Sequence, residues 1–312
     1  AGLAYGSQIK SIKMGVATTP TGNPVTDMAN AITDAAAHNL VSVINFSHYG
    51  GPWSPALVDV SGICLAIDRA VVDRPTNTPR AVFVNAVGNE GADGYFYPAR
   101  CNDSTHSHHA TLTRKDLFIT VANSVSVVTT ACGSVPVDQR CSTSNYGAWV
   151  DIAAPGSAIR TTTTPHTCEL CGGNPCPVGA CPGSPCPTDY CPVWHYSSPT
   201  GTSFSAPMVS GAAAILKSCG VPLDQIESAL TTRVDPLNPL HPLKVINFPF
   251  GTSAPRLDVY RALALRNHAP TGVALSNGSI NENTNTGAGF EVGVLSAIDA
   301  DTCDKHTYSK VG

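Results

Sequence analysis

The chain has 312 residues, 42% of them hydrophobic and 13% charged, which leaves room for about two domains around a packed core. Its net charge of −4 gives no basic footprint, so nucleic acid is excluded as a partner. No apolar run approaches the roughly 18 residues of a membrane span.

From residue 9 to about 265, short β-like runs alternate with helical patterns, as in a parallel sheet with crossover helices. Residues 9–14 read as a strand, and 25–38 as a helix with Ala29, Ile32, Ala35 and Ala36 on one face. Val41-Ser42-Val43-Ile44-Asn45-Phe46 reads as a buried strand, and 57–72 as an amphipathic helix. Residues 80–86 and 116–122 are further strands. Residues 203–217 form an Ala-rich helix without a polar stripe, the pattern of a central buried helix. Two stretches break the rhythm. Residues 165–192 are crowded with Cys and Pro and are expected to form a loop or a small stapled insert. After about Asn267 the composition shifts to Asn, Thr, Gly and Ser with alternating apolar residues, which reads as β-structure of a new domain. The expected division is 1–267 and 268–312.

Six of the 12 cysteines (Cys168, Cys171, Cys176, Cys181, Cys186 and Cys191) lie in the insert. So many cysteines point to an oxidising compartment, outside the cell or at its surface, because reducing cytosol rarely holds them without metal or redox chemistry. The insert spacing is C-x2-C followed by four x4 intervals, whereas structural zinc wants paired C-x2-C units. Disulfides are therefore favoured. A zinc module is the alternative, with His166 and His195 flanking the insert. Cys132 and Cys141 bracket a short loop that suits a local pair.

Two motifs carry chemistry. In Gly201-Thr202-Ser203-Phe204-Ser205-Ala206-Pro207, small residues allow a tight turn and a serine then opens a helix, whose positive end favours developing negative charge. The plainer reading is an ordinary helix cap. In Ala86-Val87-Gly88-Asn89-Glu90-Gly91 an amide side chain follows a Val-rich strand, at the sheet edge where ligands sit in open α/β folds. Such an amide can hold the oxyanion of acyl transfer. The plainer reading is a turn.

In this order, the two motifs resemble the subtilisin-like serine proteases, the subtilase family. Flanking pieces resemble it too: Val43 to Ser47 through Gly50-Gly51, Tyr97-Pro98-Ala99, Ser144-Asn145-Tyr146-Gly147, Val150 to Gly156, and Arg256-Leu257-Asp258-Val259 with Ala262. The resemblance covers roughly residues 1–265. It implies an α/β fold with a parallel sheet flanked by helices, and a secreted serine endopeptidase acting on polypeptides through an acyl-enzyme, with no cofactor needed for the chemistry. Carried over, Ser203 is the nucleophile, and Asn89 holds the oxyanion together with the Ser203 N–H. Ser47, Gly50, Gly51, Ala86, Val87 and Gly88 line the cleft and pair with an extended substrate. His48-Tyr49 departs from the family pattern, so no side-chain preference is assigned.

The family's Asp and His motifs do not occur in the chain, and Ala1 to Ile9 resembles the segment just after the His helix. The expectation is a catalytic domain without its N-terminal third, inactive by itself, because a serine without a base is a poor nucleophile. His48, His106, His108, His109 and His195 lack the context of a substitute. The competing reading is a non-catalytic extracellular binding or adhesion protein on the same scaffold. The insert, between Gly156 and Gly201, is expected to overhang the cleft. From Ala269 the tail resembles the opening of a cadherin-like repeat, a partial β-sandwich. That resemblance puts Glu282, Asp299 and Asp301 at calcium-ligand positions, against the plainer reading of an acidic surface turn.

Overall fold

Val- and Phe-rich runs bounded by turn residues pair edge to edge into one parallel sheet. The structure, a computed structural model, describes residues 3–4, 6–12, 24–37, 41–48, 62–74, 76–94, 96–102, 112–162, 196–232, 244–264, 267–279, 281–284, 287, 291–301 and 303–309. In chain order, helix α1 (Pro24–Ala36) precedes strand β1 (Val43–Phe46), helix α2 (Ile63–Val71) and the short hairpin β2 (Val72–Asp73) with β3 (Thr78–Pro79). Strands β4 (Val82–Ala86), β5 (Phe118–Ser124) and β6 (Ile152–Pro155) follow. The ladder β7 (Thr161–Thr162) with β8 (Tyr196–Ser197) leads into helix α3 (Thr202–Ser218) and helix α4 (Leu223–Thr231). An antiparallel pair, β9 (Val245–Asn247) with β10 (Ser253–Pro255), and helix α5 (Val259–Ala264) come next. The tail holds β11 (Gly272–Leu275) antiparallel to β12 (Leu295–Ile298).

The main sheet runs β1-β4-β5-β6 with every neighbour parallel, and every residue of β4 and β5 is buried. Strands covered on both faces read as continuous apolar runs rather than as alternation. Phe83 stacks between Phe46 and Phe118, with ring centroids 5.7 and 5.5 Å apart. Helix α3 runs along all four strands and buries Ala206, Val209, Ala212, Ala213 and Leu216. Its small side chains let the helix approach the sheet closely. Because the strands are parallel, their C-terminal ends share one edge, and α3 begins at that edge.

Most expected elements are present with shifted ends. The strand expected over 80–86 starts at Val82, because Arg80 N–H bonds back to Val71 O at 2.8 Å. The strand expected over 116–122 runs from Phe118 to Ser124 after a 3₁₀ turn at Lys115–Leu117. The second helix begins at Ile63 behind Gly62; residues 57–61 lie outside the described residues. The strand expected over 9–14 is corrected over its described part: residues 9–12 have no regular structure and Ile9 is exposed, while residues 13–14 lie outside the described residues. Ile9 and Ile12 are three apart, so they cannot share one face of a strand. Residues 163–195, with all six insert cysteines, lie outside the described residues. Disulfides join Cys64 to Cys101, Cys132 to Cys141 and Cys219 to Cys303; the second is the local pair expected from spacing.

Candidate active site

The first turn of α3 meets three strand ends. Gly201 N–H bonds to Gly156 O, just past β6, at 2.9 Å. Thr202 Oγ1 accepts the N–H of Gly88, just past β4, at 3.2 Å. Ser203 Oγ donates to the carbonyl of Ser47, just past β1, at 2.8 Å. Ser203 is half-buried at this junction. Among the described residues Ser47 O is its partner, and no histidine nitrogen takes that place.

Asn89 is oriented by its neighbour across the chain. Thr202 N–H lies 2.9 Å from Asn89 Oδ1, and the Thr202 hydroxyl donates to the same oxygen at 3.3 Å. A backbone N–H can only donate, so the amide atom facing it must be the oxygen, which fixes the flip of the side chain. The Asn89 NH₂ group is left with no partner among the described residues. Phe204 N–H bonds to Gly201 O at 3.0 Å, while Ser203 N–H, also in the first turn, makes no bond to a described residue. Two unengaged donors, Asn89 Nδ2 and Ser203 N–H, therefore belong to the same helix mouth as the Ser203 hydroxyl.

The loop that carries Asn89 is built for this. Gly88 has φ 99°, a region costly for side chains with a Cβ. The chain turns there, straight out of β4, and Asn89 enters the α3 mouth. Val87 N–H bonds to Val121 O, and Asn145 donates to Val87 O and, from its backbone, to Gly88 O. The main-chain groups of Val87 and Gly88 thus already have partners within the protein. Ala86, Val87 and Gly88 are buried where the chain leaves β4, directly before Asn89. Ser47 is half-buried on the other side of Ser203. Gly50 and Gly51 lie outside the described residues, as do His106, His108, His109 and His195. The exposed His48 ring packs edge-on to Phe46, centroids 6.2 Å apart.

Sequence reasoning missed two contributors. Thr202 was read only as part of a motif, yet it holds both Asn89 and Gly88. Asn145, within the Ser144-Asn145-Tyr146-Gly147 segment, contacts the Asn89 loop from below; its complete burial beside a polar loop was not legible from composition. In the tail, carboxylate oxygens of Asp299, Asp301 and Asp304 lie within 4.8 Å of one another. Glu282 is exposed and stands outside that group. The Asp299 side chain is 5% exposed, and its Oδ2 makes no hydrogen bond, with His306 Nε2 at 3.3 Å. Asp301 is held by His268, whose backbone and ring nitrogens both reach it.

Comparison with known proteins places this geometry in context. Mycosin-1 of Mycobacterium tuberculosis is 31% identical over 203 residues, which are 64% of this chain and 39% of that protein. The extracellular basic protease of Dichelobacter nodosus is 28% identical over 223 residues, 69% of this chain and 28% of that one. The chain thus spans well under half the length of these two curated relatives. A solved protease of Pseudoalteromonas arctica overlays 77% of this chain and 58% of its own at TM-score 0.44 and 20% identity. The description "Subtilase family" matches residues 1–234, three quarters of the chain, and the chain belongs to that family.

Proposed function

We propose that this chain is part of a secreted serine endopeptidase in which Ser203 attacks the scissile carbonyl and Asn89 Nδ2 with Ser203 N–H holds the oxyanion. The observation that carries this reading is the orientation of Asn89: its oxygen is engaged by Thr202, which leaves its donor end for a ligand. Donors fixed in advance stabilise developing charge without reorganising at the moment of reaction. The helix N-terminus adds a positive field at the same place. Ser47 is proposed to border the substrate, with Ala86, Val87 and Gly88 as the floor of the cleft. Collapse of the tetrahedral intermediate would expel the amine, which takes up the proton lost by Ser203, and leave the acyl group on Ser203 Oγ; water then releases it as the carboxylic acid.

For that first step the Ser203 proton must move to a base. Its present acceptor, the Ser47 carbonyl, cannot take a proton at neutral pH. Because the family's Asp and His motifs are also missing from the sequence, we expect the chain by itself to be inactive and the base to come from the full-length product of its coding sequence. The test is hydrolysis of a chromogenic peptide anilide by that product. Ser203→Ala should abolish turnover and block labelling by a sulfonyl fluoride. Asn89→Ala should lower kcat by about 100- to 1000-fold. Full activity in either variant would exclude the assignment.

The tail is proposed to bind calcium in a cadherin-like segment, with Asp299, Asp301 and Asp304 as ligands. Three hard oxygen donors suit that ion, and a buried carboxylate oxygen without a hydrogen bond supports the fit. Millimolar calcium should raise the melting temperature of the full-length product, and Asp299→Asn should remove that increment. An equal calcium response in the variant would exclude this site.

A further inference from the structure

Asn145 is completely buried, yet none of its four side-chain hydrogen-bonding positions is wasted. Its Oδ1 accepts the N–H of Glu90 at 3.0 Å and the N–H of Ala92 at 3.1 Å. Its Nδ2 donates to Val87 O at 2.9 Å and to Glu90 Oε2 at 2.6 Å. Its backbone N–H donates to Gly88 O at 3.0 Å. These five bonds reach residues 87, 88, 90 and 92. They bracket Asn89 on both sides and leave its own side chain to Thr202.

The neighbouring segment holds Asn145 in turn. Gly91 N–H bonds to Thr143 O at 2.7 Å, and Tyr146 N–H bonds to Ala92 O at 3.2 Å. A Cβ on Gly91 would lie 2.6 Å from Ser142 O, so only glycine permits this approach. Arg140 donates to the carbonyls of Cys141, Ser142 and Ser144. The Cys132–Cys141 disulfide staples the same segment, and Cys141 N–H bonds to Asn123 O at the end of β5 at 2.9 Å. The Asn89 loop therefore rests on a braced platform, and Asn145 is its point of contact. No other residue type matches two N–H donors and two acceptors in one plane at this size except Asn.

We propose that Asn145 is the positioning residue of the oxyanion site: it holds the 87–92 loop so that Asn89 Nδ2 stays fixed when charge develops on the substrate. This deepens the reading of Asn89 as oxyanion donor and rests on it. Asn145 is fully buried and acts through the 87–92 loop, so an effect through Asn89 has to be told apart from one through Val87 and Gly88 in the floor of the cleft. A displaced donor loses much of its value, because a misplacement of about 1 Å can cost about 100-fold in rate.

The test is a double-mutant cycle in the full-length product, read as kcat and KM on a chromogenic peptide anilide. Asn145→Ala should lower kcat by about 10- to 100-fold with KM changed less than about twofold. In the Asn89→Ala background the same substitution should cost less than about threefold, because the donor it positions is gone. Equal losses in both backgrounds would show a merely structural role and overturn the proposal. Asn145→Ala leaves several buried groups unpaired and can fail to fold, so Glu90→Ala serves as the second variant. Glu90 is exposed, and its substitution removes one anchor of Asn145. Its substitution should lower kcat by about two- to fivefold in the wild-type background and not in Asn89→Ala. No effect of Glu90→Ala, or an equal effect in both backgrounds, overturns the proposal. An Asn89→Ala enzyme with unchanged kcat would instead overturn the oxyanion assignment beneath it.

Discussion

Asn123 and Ser205 are both fully buried, and the Asn123 amide atoms and the Ser205 hydroxyl make no hydrogen bond among the described residues. Both crowd Gly156: a Cβ there would stand 2.1 Å from Ser205 Oγ and 2.7 Å from Asn123 Oδ1. Gly156 is thus required by space, at the point where the strand end receives α3. A buried hydroxyl without a partner costs about 1–3 kcal/mol. Ser205→Ala should therefore leave stability unchanged or raise it by about 1 kcal/mol in urea unfolding. Gly156→Ala should lower it by about 1–3 kcal/mol through overpacking. Its cost should shrink in the Ser205→Ala background, since one clashing atom is then gone. A strictly additive pair would show that the two side chains do not share the space, and the packing argument would fail.

At the scale of elements, the sequence was legible wherever burial is continuous. The runs over 80–86 and 116–122 read as strands, and they overlap the observed Val82–Ala86 and Phe118–Ser124, because both faces of the sheet are covered. The Ala-rich stretch over α3 read as a central helix for the same reason. Element ends were harder to place, since they follow hydrogen bonds between segments distant in sequence. Arg80 N–H and Ala81 N–H are both drawn back to Val71 O, a contact that no local pattern encodes. The candidate site divides in the same way. Ser203 and Asn89 were visible from local motifs, one opening a helix and one ending a strand. Thr202 and Asn145 act through contacts across 113 and 58 residues of chain, so their roles emerge only in the folded protein. The disulfides show the contrast again. Cys132 and Cys141, nine residues apart, could be paired by eye, whereas Cys219 and Cys303 are 84 apart and join the end of α3 to the tail.

Across the whole molecule, carboxylates pull stability in opposite directions with pH. Asp151 lies just before β6, at the end of the sheet away from the α3 mouth, where burial pushes its carboxyl up to about 7 against the hydrogen bonds from Thr120; nearby Glu227 adds to the rise. Glu227 is itself raised, chiefly by burial and then by Asp116. For both, the folded value stands above the unfolded one, about 4. Their contribution is therefore complete below pH about 4 and is lost as pH rises, for Asp151 toward about 7. Asp138 behaves oppositely: hydrogen bonds from Lys244 and Arg256 hold it below the ordinary range. Asp68 is likewise lowered, since bonds from Thr113 and Arg74 outweigh its burial. Those two stabilise the fold above pH about 4 and fail below it. Through Asp151 and Glu227 the melting temperature should then fall as pH rises from about 5 toward 8. Asp151→Asn keeps the carbonyl that accepts from Thr120 N–H and removes the titration. In that variant the decline between pH 5 and pH 8 should flatten, as read by thermal melts of the full-length product. A slope equal to that of the wild type would mean that Asp151 is charged in the folded state and that its burial is not the source of the dependence.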